Sequence, residues 1–111
     1  MSTSAELVAQ TRAATEKLLI SNPDHVPVIV EKPGDPEATM RFLVPRDASM
    51  GTILKNVRAK LKVSSTESIF LYVDKFMIPV HISVDEIYAK HHNKEDLRLY
   101  MRFQLENTFG A

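Results

Sequence analysis

The apolar positions of this chain follow the helical period in some segments and the strand period in others, with proline or glycine between them. The first segment predicts a helix, because Thr3 and Glu6 have the spacing of a capping box. We expect it to end at residues 22–24, since the residue before Pro23 disfavours the helical region. Its moderately apolar stripe should dock on the body of the protein. The predicted stripe consists of Leu7, Thr11, Ala14 and Leu18, with Val8, Thr15 and Leu19 beside it.

Segments rich in β-branched and aromatic residues predict strands. They span residues 26–32, 40–45, 68–73 and about 99–103. Residues 33–36 have the Pro-Gly-Asp-Pro chemistry of a loop, and Pro45 ends the second strand. We expect the first two strands to form an antiparallel pair. The third is the most apolar and is expected in the centre of the sheet.

Further segments predict two more helices. In residues 50–62 apolar positions recur at helical spacing, behind the candidate caps Asp47 and Ser49. Ser83 and Glu86 form another capping box, which opens a short helix. The residues of the longer helix that should face the core are Met50, Ile53, Leu54, Val57 and Leu61. The order of elements predicts an α+β fold, a ubiquitin-like β-grasp with an additional N-terminal helix.

Length, charge and cysteine content exclude several classes of function. The 111 residues fit one domain, and the 14 basic and 14 acidic residues cancel, which argues against a nucleic-acid-binding protein. The chain has no cysteine, so it cannot form a disulfide, a cysteine-ligated zinc site or a thioester of its own. No apolar run is long enough to span a bilayer, and the first residues lack the features of a secretion signal. Any membrane association is therefore expected to come through a partner or a covalent lipid.

The residue types that most often carry catalysis or bind metals show no recognisable arrangement. The chain contains neither a nucleophile elbow nor a glycine-rich phosphate loop. His91 and His92 are adjacent, so on a helix they would point about 100° apart, a poor geometry for one metal ion. We interpret them as histidines that complement a helix C-terminus. The sequence therefore predicts no enzyme activity, no metal site and no cofactor.

The segment 41–45 supports two interpretations. If it forms an edge strand, its free backbone groups can pair with an incoming extended peptide. Alternation would place Phe42 and Val44 on one face and Arg41 and Leu43 on the other, so that two peptide anchors meet a pocket on each side. The alternative is that Phe42 and Leu43 are simply core residues. A basic run in the next helix is likewise either a docking surface for acidic residues or a solvated face. It consists of Lys55, Arg58, Lys60 and Lys62.

The last residues contain Gly110 followed by Ala111. Glycine has no side chain, so its carbonyl can enter a channel too narrow for other residues. An enzyme that activates a terminal carboxylate could use such a glycine, with Ala111 as a removable cap. The alternative is an inert tail that contains a glycine by chance.

Several segments are specific when they are taken in order and with their spacing. They are Pro23-Asp24, residues 26–32 (Val-Pro-Val-Ile-Val-Glu-Lys), residues 42–45 (Phe-Leu-Val-Pro), Gly51, residues 69–73 (Ile-Phe-Leu-Tyr-Val), Ile87-Tyr88 with His91-His92, Leu99-Tyr100, and residues 106–110 (Glu-Asn-Thr-Phe-Gly). Through them the chain resembles the autophagy-related protein eight family of ubiquitin-like modifiers, the group of GABA-receptor-associated protein and the microtubule-associated light chain three proteins. The resemblance covers residues 17–110.

This resemblance implies a conjugation mechanism. An autophagy cysteine protease would cut after Gly110 and release Ala111, and the activating and conjugating enzymes of the pathway would pass the glycine to phosphatidylethanolamine. Two acyl chains would then hold a cytoplasmic protein on the autophagosomal membrane. The implied domains are a helical extension over residues 1–24, a ubiquitin-like domain over residues 25–105 and a flexible conjugation tail over residues 106–111.

The resemblance also implies that cargo receptors bind through short aromatic-x-x-aliphatic motifs that pair with the edge strand. The pocket for the aromatic residue would comprise Leu18, Pro27, Ile29, Arg41 and Leu43. The pocket for the aliphatic residue would comprise Phe42, Val44, Pro45 and Ile53. Arg41 and Lys60 would meet acidic residues of the motif. Two other functions stay open: a modifier conjugated to proteins, like the autophagy-related protein twelve group, and a non-conjugated ubiquitin-fold adaptor.

Overall fold

The computed structural model of the chain describes residues 3–64 and 66–107. Its elements are α1 (Ser4–Ser21), β1 (His25–Lys32), β2 (Asp35–Pro45), α2 (Met50–Leu61), β3 (Glu67–Val73), β4 (Phe76–Met77), α3 (Val84–His91) and β5 (Leu99–Asn107). The order agrees with the sequence prediction except for β4. A strand of two residues is too short to leave a periodic pattern in the sequence.

The strands form a mixed sheet in the order β2-β1-β5-β3-β4. β1 pairs antiparallel with β2 and parallel with β5, and β5 pairs antiparallel with β3. This topology confirms the predicted β-grasp. The prediction that the third strand is central is wrong, because β5 occupies the middle and β3 has only the short β4 on its other side. The last strand of the chain inserts between earlier ones, and local apolarity does not encode such a distant pairing.

The β1–β2 hairpin is longer and tighter than predicted. Lys32 pairs with Asp35, so the turn contains only Pro33 and Gly34. Gly34 adopts a φ of 79°, which glycine reaches without strain. Asp35 and Pro36, predicted as loop, belong to β2. Proline is tolerated there because an edge strand leaves one side of its backbone without a strand partner.

α2 and α3 cover one face of the sheet, here called the inner face, and enclose the core. Met50, Ile53 and Val57 are buried on α2, whereas Leu54 and Leu61 are only partly buried at the rim of the core. The sheet contributes alternate positions, as its pleat requires. They include Val26, Val28 and Val30 of β1, Met40 and Val44 of β2, and Leu99, Met101 and Phe103 of β5.

Thr3 and Ser83 cap their helices as predicted, through the hydroxyl half of each capping box. The hydroxyls of Thr3 and Ser83 accept hydrogen bonds from backbone amides three residues on, at 3.1 and 3.2 Å. α2 begins differently, because the side chain of its N-cap Ser49 makes no capping hydrogen bond and Asp47 lies outside the helix. The first helical amide donates instead to the carbonyl of Ile82 at 2.8 Å. The loop before α3 therefore caps α2 through its backbone.

α1 lies on the opposite face of the sheet, here called the outer face. Ile29 points away from the core and is nevertheless buried, because α1 contacts β1 and covers it. The predicted docking stripe of α1 is confirmed in part. Val8, Thr11, Thr15 and Leu19 face the body of the protein, together with Arg12, which was not predicted. Leu7 and Leu18 are 53% and 41% exposed, and Ala14 is exposed as well, so this side of the predicted stripe is wrong.

Polar residues can dock α1 because their hydrogen bonds are made. Thr15 is fully buried, and its hydroxyl donates to the carbonyl of Thr11 at 2.9 Å. Arg12 donates to the carbonyl of Lys94 at 2.7 Å, which ties α1 to the loop before β5. The contact of Arg12 explains why this residue lies on the docked side although it is not apolar.

β5 continues to Asn107, with Glu106 opposite Ser68 and Asn107 opposite Glu67 on β3. The first two residues of the predicted tail of residues 106–111 therefore belong to the sheet. Gly110 and Ala111 lie outside the described residues.

Candidate peptide-binding edge

β2 forms one edge of the sheet and pairs with β1 alone. Alternate amides and carbonyls along its other side therefore have no strand partner in the described part of the chain, and an extended peptide can hydrogen-bond to them. The interpretation of residues 41–45 as part of an edge strand is confirmed. That a peptide binds there stays a prediction.

The outer side of β2 carries Arg41 and Leu43. In the β1–β2 register, Leu43 lies opposite Pro27 and Arg41 lies opposite Ile29. These four side chains form two rows on the outer face, because positions two apart share a face. Leu43 is 41% exposed, whereas Pro27 and Ile29 are buried. The structure thus brings together the strand residues predicted for the aromatic pocket.

Leu18 reaches the same patch from α1. Arg12 and Thr15 mark the orientation of the helix: Thr15 faces the sheet, and Arg12 faces the loop before β5. Successive residues turn by about 100°, so Leu18 lies on the flank of α1 away from Arg12. β1 has β5 on one side and β2 on the other, so that flank faces β2. An aromatic anchor can therefore contact Leu18 and Leu43 together.

The inner side of β2 carries the residues predicted for the aliphatic pocket. Phe42 and Val44 point toward α2, as alternation requires, with Phe42 partly buried and Val44 only 2% exposed. Ile53 is fully buried. The ammonium of Lys60 lies 5.3 Å from the centre of the Phe42 ring. A peptide at this side therefore contacts Phe42, Lys60 and the exposed Pro45 first. The buried Val44 and Ile53 lie deeper.

Charge near the edge is positive and available. Arg41 and Lys60 are exposed, and neither makes a hydrogen bond or ion pair within the described residues. Arg58, in the same basic run, is used internally, since it donates to the carbonyls of Glu67 and Ser64. The basic run therefore divides into a structural arginine and solvated lysines.

Comparison with known proteins decides the family. The family model described as "Autophagy protein Atg8 ubiquitin like" matches residues 10–110. The chain belongs to the Atg8 family. It is 37% identical over 93 residues to autophagy-related protein 8a of Arabidopsis thaliana, covering 80% of this chain and 75% of that protein. It is 30% identical over 104 residues to autophagy-related protein 8 of Schizosaccharomyces pombe, covering 90% and 85% respectively.

The fold of this Atg8-family protein has a solved counterpart. The crystal structure of Trypanosoma brucei ATG8 matches it with a TM-score of 0.80 at 24% identity, covering 99% of this chain and 100% of that one. This likeness shows a shared ubiquitin-like fold. The chain is thus a ubiquitin-like autophagy protein, as its motifs predicted. No helix among the described residues is long and apolar enough to cross a membrane.

A polar cluster that the sequence did not predict lies on the outer face of this Atg8-family protein, near the exposed apolar surface of Leu18 and Leu43, here called the outer patch. The buried carboxylate of Asp96 accepts hydrogen bonds from the hydroxyl of Tyr100, at 2.5 Å, and from the amide of Arg98, at 3.0 Å. Burial raises the pKa of Tyr100, the bond to Asp96 raises it further, and Arg98 partly opposes this rise. The cluster is local in sequence, but the spacing of its residues gives no sign that Asp96 is buried.

The histidines have structural contacts. Nδ1 of His91 lies 2.8 Å from Oδ2 of Asp74, and Nδ1 of His92 lies 2.7 Å from the carbonyl of Tyr88. The His92 ring also stacks on Tyr88, with ring centres 4.7 Å apart. Within residues 3–64 and 66–107 no three His, Cys, Asp or Glu side chains group in a way that could hold a metal ion.

The predicted edge is a surface patch rather than a deep cavity. A cavity of about 480 Å³ lies elsewhere, between α2, β3 and β4. Its walls include Leu54 of α2, Ile69 of β3 and Met77 of β4, and the residues predicted to bind peptide do not line it.

Proposed function

We propose that this Atg8-family protein is a ubiquitin-like modifier that is cleaved after Gly110 and conjugated through that glycine to phosphatidylethanolamine. The observation that carries the proposal is the family match over residues 10–110, which extends to the glycine itself. Gly110 follows three residues after the last residue of β5.

In this proposal the protein contributes a carboxylate and a surface, and other proteins do the chemistry. An autophagy cysteine protease removes Ala111, and activating and conjugating enzymes carry the glycine as a thioester before the amide forms with the lipid. The chain itself has no cysteine to hold a thioester. The unconjugated protein is cytoplasmic, and the two acyl chains of the lipid hold the conjugate on the autophagosomal membrane.

The surface proposed to recruit cargo receptors is the open edge of β2. An aromatic-x-x-aliphatic peptide adds a strand there, and its anchors fall on opposite faces, near Leu43 and near Phe42. Acidic residues of the peptide meet Arg41 and Lys60, neither of which forms an ion pair within the described chain. Exposed ion pairs contribute modestly, so the strand pairing and apolar anchors must supply most of the affinity.

Both parts of the proposal have direct tests. Treatment with a family protease should reduce the intact mass by one alanine residue. An unchanged mass would favour the non-conjugated adaptor. For the surface, amide resonances of the ¹⁵N-labelled protein are followed during titration with an acidic aromatic-x-x-aliphatic peptide. We expect shifts concentrated at residues 41–45, and shifts confined to another surface would refute edge binding.

A further inference from the structure

The outer patch continues across the sheet to an arginine. Leu43 lies opposite Pro27, and Val28 lies opposite Leu99 in the parallel β1–β5 pair. One position back from that pair, Pro27 has Arg98 as its neighbour on the β5 side. Neighbouring strands are ~4.8 Å apart, so Arg98 lies roughly 10 Å from Leu43 across the patch.

The side chain of Arg98 lies on the outer face and is partly buried. Leu99 points into the core, so its neighbours Arg98 and Tyr100 point the other way. Arg98 also interacts with the Tyr100 hydroxyl, which places both groups on one side of the sheet. The apolar patch near Leu18 and Leu43 therefore ends, beyond Pro27, in a guanidinium.

The charge of this guanidinium is balanced nearby. Asp96 is buried beside Tyr100 and supplies the matching negative charge. The carboxylate oxygens of Asp96 already accept from the Tyr100 hydroxyl and the Arg98 amide. The cluster as a whole is thus neutral, but a guanidinium offers five N–H donors, and more than one of them can serve an incoming group.

We propose that Arg98 determines the specificity of the outer patch and selects a tyrosine as the aromatic anchor of the bound peptide. This inference rests on the peptide-binding function proposed above. The ring lies between the exposed side chains of Leu18 and Leu43, with its distal edge directed toward Arg98. The hydroxyl oxygen of tyrosine accepts a hydrogen bond from the guanidinium there.

The chemistry of the cluster discriminates against the other anchors. Phenylalanine has no acceptor, so it would desolvate the guanidinium without a hydrogen bond in return. The indole N–H of tryptophan is a donor and cannot pair with a donor group. A carboxylate would bring a second negative charge next to Asp96. A tyrosine anchor should therefore bind about tenfold more tightly than phenylalanine, the effect of one hydrogen bond to a charged group.

The test uses the full-length chain and three peptides that differ only at the aromatic anchor, which is tyrosine, phenylalanine or tryptophan. Affinities are measured by isothermal titration calorimetry on the wild type, on Arg98→Leu and on the control Arg102→Leu. Arg102 lies on β5, four residues after Arg98, and is exposed, but Glu31 rather than Pro27 lies opposite it. We expect Arg98→Leu to abolish the tyrosine preference and Arg102→Leu to keep it.

Wild-type affinities alone already test the idea, whatever the variants do. Equal affinities for the tyrosine and phenylalanine peptides overturn the role of Arg98 and leave the peptide-binding function intact. If none of the three peptides binds, the proposed function fails, and this inference fails with it. Thermal unfolding accompanies each variant, and Arg98→Gln replaces Arg98→Leu if the latter does not fold. An unchanged tyrosine preference in a folded variant also overturns the proposal.

Discussion

Leu43 and Val44 are adjacent on β2, but they should respond to substitution in opposite ways. Leu43 is 41% exposed on the outer face, whereas Val44 is 2% exposed and belongs to the core. Replacing each by alanine therefore separates peptide binding from stability at neighbouring positions. Neither substitution alters the strand backbone that would pair with the peptide.

The magnitudes follow from burial. Leu→Ala in a sealed core costs about 2–5 kcal/mol, part of which comes from the cavity that remains. Leu43 is a little more than half buried, and water can fill the space that its side chain leaves, so Leu43→Ala should cost about 1 kcal/mol. Val44→Ala removes about two methylene equivalents from a sealed site, and with the cavity it should cost about 2 kcal/mol.

Binding should show the reverse order. An apolar anchor contact at the centre of a peptide interface is worth about 1–2 kcal/mol, so Leu43→Ala should weaken peptide binding roughly 5- to 30-fold. Val44→Ala changes the binding surface less, because only 2% of Val44 is exposed. Urea unfolding gives the stabilities, and isothermal titration calorimetry gives the affinities. If Leu43→Ala destabilises the protein as much as Val44→Ala and binds peptide normally, the assignment of an open outer side is refuted.

Three other predictions test separate parts of the structure. Arg12→Ala should lower the free energy of unfolding by about 1 kcal/mol, because it removes the hydrogen bond between α1 and the loop before β5. The control Lys17→Ala, on the exposed side of α1, should change this free energy little, and equal urea midpoints for the two variants would contradict the prediction. Burial raises the pKa of Tyr88 and Tyr100 above 10.0. Their contribution to the free energy of unfolding is therefore complete below pH 10 and is lost as the pH rises through the higher pKa values of the folded state. Denaturant titrations at alkaline pH should show this loss of stability, and Tyr100→Phe should show a smaller loss. Arg41→Ala should weaken an acidic peptide more at low than at high salt, and a salt-independent effect would argue against an electrostatic contact.

Much of the fold could be predicted because local chemistry specifies it. Thr3 and Ser83 carry their capping partners within one turn, and Gly34 supplies the conformation that the hairpin turn needs. In each case the deciding partner lies only a few residues away.

The errors concern contacts between distant segments. The position of β5 between β1 and β3 depends on closing a long loop, and the apolarity of β3 gave no sign of it. The docked side of α1 depends on Thr15 and Arg12, whose polar groups are satisfied by partners in the helix and in the loop before β5.

Conjugation in a defined system tests whether Gly110 is the residue that is joined to phosphatidylethanolamine. The purified chain is incubated with a family protease, the activating and conjugating enzymes, ATP and vesicles that contain phosphatidylethanolamine, and intact mass spectrometry follows the product. We expect the wild type to lose one alanine and gain one phospholipid. Gly110→Ala should remain unconjugated, with an unchanged midpoint of thermal unfolding. Two results would contradict conjugation through Gly110: lipid attached to Gly110→Ala, or a wild type that stays unmodified while a known Atg8 protein is lipidated alongside it.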